Sequence, residues 1–220
     1  MLTRLMQLVS PTLPVGAFAY SQGLEHAVHL GWVHDVQSAH TWIAGIAHEA
    51  LVHLDLPVFY RLYDAWQVDD EASVTSWNEL LLAGRESSEL QNEDHHMGIA
   101  LARLLSSMDI VEANDWTRPD GATSWVTMFA LAAQRWGIAK HDAALGFCWS
   151  WAENQVAAAV KLVPLGQTDG QRVLWKIGES IVGWAEQAAE KQTDEIGSFL
   201  PGLAVSSALH ETQYSRLFRS

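Results

Sequence analysis

The spacing of apolar side chains constrains this chain more than any other feature. Val36, His40, Ile43, Ala47, Leu51 and Leu54 step by three or four residues. Met97, Leu101, Leu104 and Met108 repeat the step, as do Leu145, Cys148, Ala152, Val156, Ala159 and Val163, and then Leu174, Ile177, Ile181, Ala185 and Ala188. Each set lies on one face of a helix. Period-two alternation between turn residues, the mark of a strand, is absent over any convincing stretch. The spacing predicts an all-α, single-domain bundle of about ten helices, at 3–9, 20–31, 36–53, 56–67, 72–82, 85–107, 123–136, 142–162, 169–191 and 203–212. Prolines at 11, 14, 57, 119, 164 and 201 mark expected helix ends. Asp35, Asp142 and Ser198 are placed to open helices, and Ser21 to cap one. The polar stretch 114–121 is the one candidate domain boundary, but it is too short for a linker. The 142–162 segment is rich in small residues (Ala143, Ala144, Gly146, Ala157, Ala158), which lets neighbouring helices approach and predicts a place at the bundle centre.

Length and charge narrow the function. A chain of 220 residues buries an ample core. Its formal charge is -13, with 19 acids against 7 bases in the first 160 residues and 7 against 6 in the last 60. That field argues against nucleic acid or an anionic membrane as a partner and suits a basic protein surface or a cation. The 11 tryptophans call for a large core or an adhesive interface. A lone cysteine, Cys148, excludes an internal disulfide and a CxxC centre. No apolar run is long enough to span a bilayer, and the N-terminus lacks a signal-peptide core, so the expectation is a cytoplasmic protein.

Signatures of catalysis are missing. There is no GxxxxGK[ST] phosphate loop, no GxSxG elbow, and no strand before the glycines at 166 and 170. Cys148 falls inside an apolar stripe, where a thiol is inert. The 10 histidines need more care. His26 and His29 share a face beside Glu25, and Glu93-Asp94-His95-His96 reads as a polar turn open to a passing cation. The stretch from His48 and Glu49 to His53 resembles a zincin helix with one residue too many. On an α-helix that extra residue turns the second imidazole away by a further ~100°. No resident metal site and no catalytic residue is therefore expected; only weak transit of a borderline divalent ion fits. Lys161, among apolar neighbours near a helix end, is expected to snorkel or to pair.

Two segments resist explanation by bundle packing. One is the run from Leu13 to Glu25, in which Gly16 and Gly23 relieve a tight turn or a close helix approach. The other is the C-terminus, where Tyr214, Leu217 and Phe218 alternate with Arg216 and Arg219. Chain ends are ordinarily polar and frayed. Tyrosine and arginine are enriched at interface hot spots, so this composition favours binding a partner over packing back onto the bundle.

Four stretches together carry a family resemblance: LPVGAFAYSQGLEHAV at 13–28, RESSELQNEDHHMG at 85–98, VAAAVKLVPLGQTDGQR at 156–172 and SALHETQYSRLFRS at 207–220. With them the chain resembles the urease accessory protein UreF family from end to end. The resemblance implies an all-α homodimer without enzymatic activity of its own. It implies a complex with UreD (UreH in some organisms) and the GTPase UreG that loads nickel into apo-urease, the nickel passing in transit rather than being held as a cofactor. It implies that 207–220 is a partner-binding tail, with Thr212, Gln213, Tyr214, Arg216, Leu217, Phe218 and Arg219 as contact residues, and that Pro14, Gly16, Tyr20, Ser21, Gly23 and Glu25 form a shared N-terminal motif. The alternative is a direct activator of the GTPase that donates an arginine finger, for which Arg216, Arg219 and Arg85 are the candidates.

Overall fold

The computed structural model describes residues 2–118 and 122–219, and among these the secondary structure is helical, with no strand. Pro119, Gly121 and Ser220 lie outside the described residues. Ten α-helices follow the chain: α1 (Leu2–Leu8), α2 (Leu24–His29), α3 (Val36–Ile46), α4 (Leu56–Gln67), α5 (Glu71–Ala83), α6 (Ser88–Ser107), α7 (Trp125–Arg135), α8 (Lys140–Leu162), α9 (Gln167–Glu190) and α10 (Pro201–His210). Short 3₁₀ turns at Ala17–Ala19, Val111–Trp116 and Thr193–Glu195 connect some of them. The Val111–Trp116 turn packs back on α6 with Ala113 buried, and Thr123 Oγ1 donates to the Trp116 carbonyl at 3.0 Å, so the chain does not divide there.

Side-chain caps open four of the described helices. Asp35 opens α3 as expected, through a reciprocal box with Ser38, and the side chains of Asp70, Ser87 and Ser124 each accept one backbone amide at the start of α5, α6 and α7. Three expected caps fail, among them Ser21, because Gly23 is the N-cap of α2. Asp142 sits inside the first turn of α8, whose N-cap is Ala139, and there its charge complements the helix dipole instead. Ser198 precedes α10 without capping it. Pro201 supplies the first helical position, where its missing N–H costs nothing.

The region read as two helices, 36–53 and 56–67, is one continuous helical rod. α3 runs into a π-helical stretch, Ala47–Asp55, and this runs on into α4 without leaving helical backbone angles. The amide of Leu56 donates to the Leu51 carbonyl, five residues back. Pro57 explains the change of winding. Its ring would press on the carbonyl four residues earlier, that of His53, and it has no N–H to offer it. The wider π turn relieves the contact, and the His53 carbonyl accepts instead from the Gly197 amide at 2.9 Å. Proline here alters a helix rather than ending it.

α8 is the central element, packed against α1, α2, α3, α4, α7 and α9. Its small residues serve this position. A Cβ at Gly146 would lie 2.6 Å from Leu5 and 2.8 Å from Val9 of the α1 region. The main core is aromatic at its middle: Phe129 stands edge-on to Phe147 at 5.1 Å and packs on Phe59 at 6.0 Å. A second cluster joins α2, α3, α8 and α9 through Leu24, Ile43, Val156 and Ile177. The tryptophans divide between roles: Trp66 is buried and donates to the Thr127 carbonyl, whereas Trp175 on α9 is largely exposed.

Candidate functional site

The N-terminal motif and the C-terminal tail meet. After α1 the chain makes the Ala17–Ala19 turn, with Gly16 at φ 79° and Gly23 at φ 73°, both left-handed conformations that favour glycine. Gly23 also fits tightly: a Cβ there would be 3.2 Å from the Ser207 amide nitrogen and 3.3 Å from Ser206 Cβ, both on α10. Ser206 Oγ donates to the Gly23 carbonyl at 2.6 Å, and Ser207 Oγ bonds Ser87 Oγ at 2.7 Å. Buried Ser21 accepts the Glu25 amide on its hydroxyl at 3.3 Å, steadying the first turn of α2 as a cap would. Asn154 of α8 donates to the Ala17 and Tyr20 carbonyls. Pro14 lies just ahead of this turn.

Glu25 is the pivot. One carboxylate oxygen accepts the Leu217 amide at 2.7 Å, and the other accepts the Phe218 amide at 2.8 Å. The second oxygen also faces His210 Nε2 at 3.2 Å. His210 is completely buried at the end of α10, and its Nδ1 faces Glu89 of α6 at 2.8 Å. Glu89 in turn takes Arg216 Nη1 at 2.9 Å. Two buried carboxylates thus find their partners in the last eleven residues, as buried charges must. Phe218 is buried in the second core, and Lys161 Nζ lies 5.3 Å from its ring centre. Lys161 therefore pairs with the tail's aromatic ring, and the Arg219 amide donates to the Ala19 carbonyl at 2.8 Å. Gln213 bonds His26 Nδ1 at 2.9 Å, while Thr212 only closes its own turn.

The tail consequently has two faces. Its backbone, Phe218 and the Gln213 amide point inward, and Tyr214, Leu217, Arg216 and Arg219 are exposed. Binding a partner and packing on the bundle stood as rival readings of this segment, and the geometry assigns self-packing to one face and leaves the other open. Tyr20 lies under the tail, its hydroxyl 3.3 Å from His96 Nδ1. Burial raises its pKa and Glu93 adds to the rise, against a hydrogen bond from Arg219.

Arg85, at the start of the second motif, is not an exposed cation. It pairs with Asp55 at 2.8 Å and with Asp94 at 3.3 Å, its side chain only 15% exposed. Burial opposes its charge, but the two aspartates outweigh burial and raise its pKa; burial also raises that of Asp55. Asp94 further accepts Ser124 Oγ and the Trp125 amide, fixing the start of α7. The 93–96 stretch is accordingly not a solvated turn: Glu93 and Asp94 are buried, Glu93 accepts from Gln22 at 2.8 Å, and His95 Nδ1 accepts the Thr123 amide at 3.2 Å. A cleft of about 210 Å³ opens beside these groups, and Gln22, Asp55, Arg85, Glu93, Asp94 and Glu153 contribute to its polar lining. Cys148 is buried and burial pushes its thiol up to about 12, which keeps it protonated and unreactive.

Sequence reasoning named Glu25 but not Glu89 or His210, its partners in the network. All three lie inside the quoted motif stretches, and each acid sits in the first turn of its helix. The motifs thus marked the place, while the pairing across more than a hundred residues had no local signal.

The UreF family model matches residues 33–178. The urease accessory protein UreF of Alkalilimnicola ehrlichii is 50% identical over 217 residues, covering 99% of this chain and 95% of that protein. The urease accessory protein UreF of Chromohalobacter salexigens is 48% identical over 219 residues, covering 100% and 94%. That of Hahella chejuensis is 46% identical over 220 residues, covering 100% and 98%. The joined ends lie outside the span of the family model but inside these whole-chain matches.

Proposed function

The chain belongs to the UreF family of urease accessory proteins, and from that membership we propose that it is a non-catalytic scaffold for urease maturation. In this reading it works in the cytoplasm as a homodimer, joins UreD/UreH and the GTPase UreG, and the complex inserts nickel into apo-urease. UreG supplies the phosphate-binding loop that this sequence lacks. Nickel is cargo here, not a resident cofactor. Nucleotide state can bias such an assembly only if the two states bind the scaffold with different affinity.

One observation carries the docking reading. The backbone of the tail is fixed by Glu25, and Arg216 is held by Glu89, while Tyr214 and Leu217 face solvent with no apolar cover. A docking segment held in shape before binding has less ordering entropy to lose, which favours affinity. Tyr214 and the flanking arginines are of the residue types enriched at interface hot spots, and Leu217 adds apolar area beside them.

The test uses the exposed face alone. The double variant Tyr214→Ala/Leu217→Ala removes both anchors but none of the hydrogen bonds that tie the tail down. Its helical circular dichroism should match wild type, and its affinity for UreD should fall by about tenfold or more. Undiminished capture of UreD by this variant would defeat the proposal. Truncation after His210 is a poorer experiment, because it strips Glu25 and Glu89 of tail donors and so perturbs the bundle as well.

The arginine-finger reading has less support. Arg85 is locked between two aspartates, and Arg216 is engaged by Glu89. Arg219 is the candidate whose exposed side chain has Tyr20 rather than a carboxylate as its partner. Single-turnover GTP hydrolysis by UreG with the wild-type chain and with Arg219→Ala separates the readings, since a donated arginine is worth about 10³–10⁵ in rate.

A further inference from the structure

We propose that His48, Glu49 and His53, on the π-helical stretch of the α3–α4 rod, form a surface binding site for a borderline divalent metal ion. On an α-helix residues five apart point about 140° away from each other, which would separate the two imidazoles. The segment is not α-helical. It is a π-helix from Ala47 to Asp55, and at its wider turn a five-residue step returns to within about 50° of the starting direction. The two imidazoles therefore come to one side, their ring centres 5.5 Å apart at an interplanar angle of 64°. Glu49 closes the group, with Oε1 2.8 Å from His48 Nδ1. One donor atom from each residue can be chosen so that all three lie within 4.8 Å of one another.

That spacing is near what an ion requires. Metal–nitrogen and metal–oxygen distances of about 2.0–2.2 Å set neighbouring donors roughly 3–3.5 Å apart, so small rotamer changes complete the set. His48 and Glu49 are about half exposed, and their side chains can make such changes without disturbing the core. The backbone beneath them is fixed by the Leu56–Leu51 bond and by the Gly197 amide on the His53 carbonyl. Two imidazoles and one carboxylate select zinc, nickel, cobalt or copper over magnesium or calcium, which prefer all-oxygen shells. Water would complete the coordination on the exposed side. A simple ion pair between His48 and Glu49 accounts for their contact but not for the convergence of His53, which the change of winding produces. The other histidine groupings differ in kind: His26 bonds Gln213, His95 accepts the Thr123 amide and His96 bonds Tyr20.

The site does not depend on the docking role of the tail, and its test involves no partner protein. Full-length, tag-free chain is titrated with Zn²⁺ and with Ni²⁺ in competition with a chromophoric chelator. Wild type should bind at least one of the two ions at this site, with Mg²⁺ in excess failing to displace it. His48→Ala/His53→Ala should abolish the binding or weaken it by more than about tenfold with unchanged helical circular dichroism, and Glu49→Gln should weaken it less. The exposed control His34→Ala/His141→Ala should leave it intact. Failure of the wild-type chain to bind either ion, or a loss below about tenfold in the His48/His53 double variant, would overturn the site.

Discussion

A single carboxylate ties the two ends of this chain together. Glu25 accepts two consecutive tail amides and faces His210, so replacing it leaves three polar groups short of a partner, the Phe218 amide and His210 buried and the Leu217 amide part-buried. Each such group costs about 1–3 kcal/mol when left unsatisfied, with some recovery from water at this near-surface position. Glu25→Ala is expected to destabilise the fold by about 3 kcal/mol in urea denaturation and to release the tail, exposing the bonds after Arg216 and Arg219 to trypsin. Glu25→Gln keeps one acceptor oxygen and should fall between that variant and wild type. If Glu25→Ala unfolds and is cleaved like the parent, the tail is held by something else. What the sequence revealed at this scale was residue type. Glu25, Tyr214 and Phe218 stood out by composition and family likeness, and Arg85 stood out as an available cation. The partners were hidden, because a hydrogen bond between positions 25 and 217 has no local signature, and Arg85 looks exposed until Asp55 and Asp94 are seen around it.

Helices are where sequence patterning was most informative, because a stripe recurring every three or four residues is itself the consequence of burying one face. α4, α5 and α9 fall within two residues of their expected limits. Local exceptions arise where tertiary structure overrides the period. Residues 20–23 are turn rather than helix because Gly23 must approach α10, and the π stretch exists because Pro57 and Gly197 together redirect one carbonyl. Two helical glycines make the same point with opposite signs. A Cβ at Gly98 of α6 would lie 2.3 Å from the Thr123 carbonyl oxygen and 2.8 Å from the Ser124 carbonyl carbon, both rigid backbone. At Gly45 of α3 it would meet nothing within 4 Å. Gly98→Ala is therefore expected to lose about 2–4 kcal/mol or fail to fold, since it pushes apart the segment that Asp94 caps. Gly45→Ala should gain up to about 1 kcal/mol from helix propensity. Thermal melts of the two variants against wild type decide the matter, and a shared sign would show that the α6 packing is looser than the geometry indicates.

At the scale of the whole molecule, the two chain ends are joined over α10 and α6, and α8 holds the rest, so most of the buried titratable groups belong to one cooperative unit. Its buried acids are held by cations or hydrogen-bond donors, with Asp55 and Asp94 sharing Arg85 and Glu93 accepting from Gln22, but two core groups are held neutral by burial instead. The thiol of Cys148 is pushed by burial from its ordinary 9.0 to about 12. Burial likewise pushes Tyr60, whose hydroxyl donates to the Ala185 carbonyl, from 10.0 to about 12, with Cys148 adding to the rise. Both folded values lie above the unfolded ones. The folded state then keeps its proton where the unfolded state releases it, so stability is intact below about pH 9 and declines as pH rises toward 12. Acid has no such effect through these two groups. Urea midpoints taken from pH 8 to 10.5 should hold to about pH 9 and then fall, and Cys148→Ala should flatten part of that fall while lowering stability at pH 8 only by the loss of a small buried side chain, about 1 kcal/mol. An equally steep decline in Cys148→Ala would assign the alkaline sensitivity to Tyr60 and the surface instead. Reaction of native protein with a thiol reagent at pH 8 offers an independent check: a protonated thiol at 1% exposure should react only as fast as the chain unfolds.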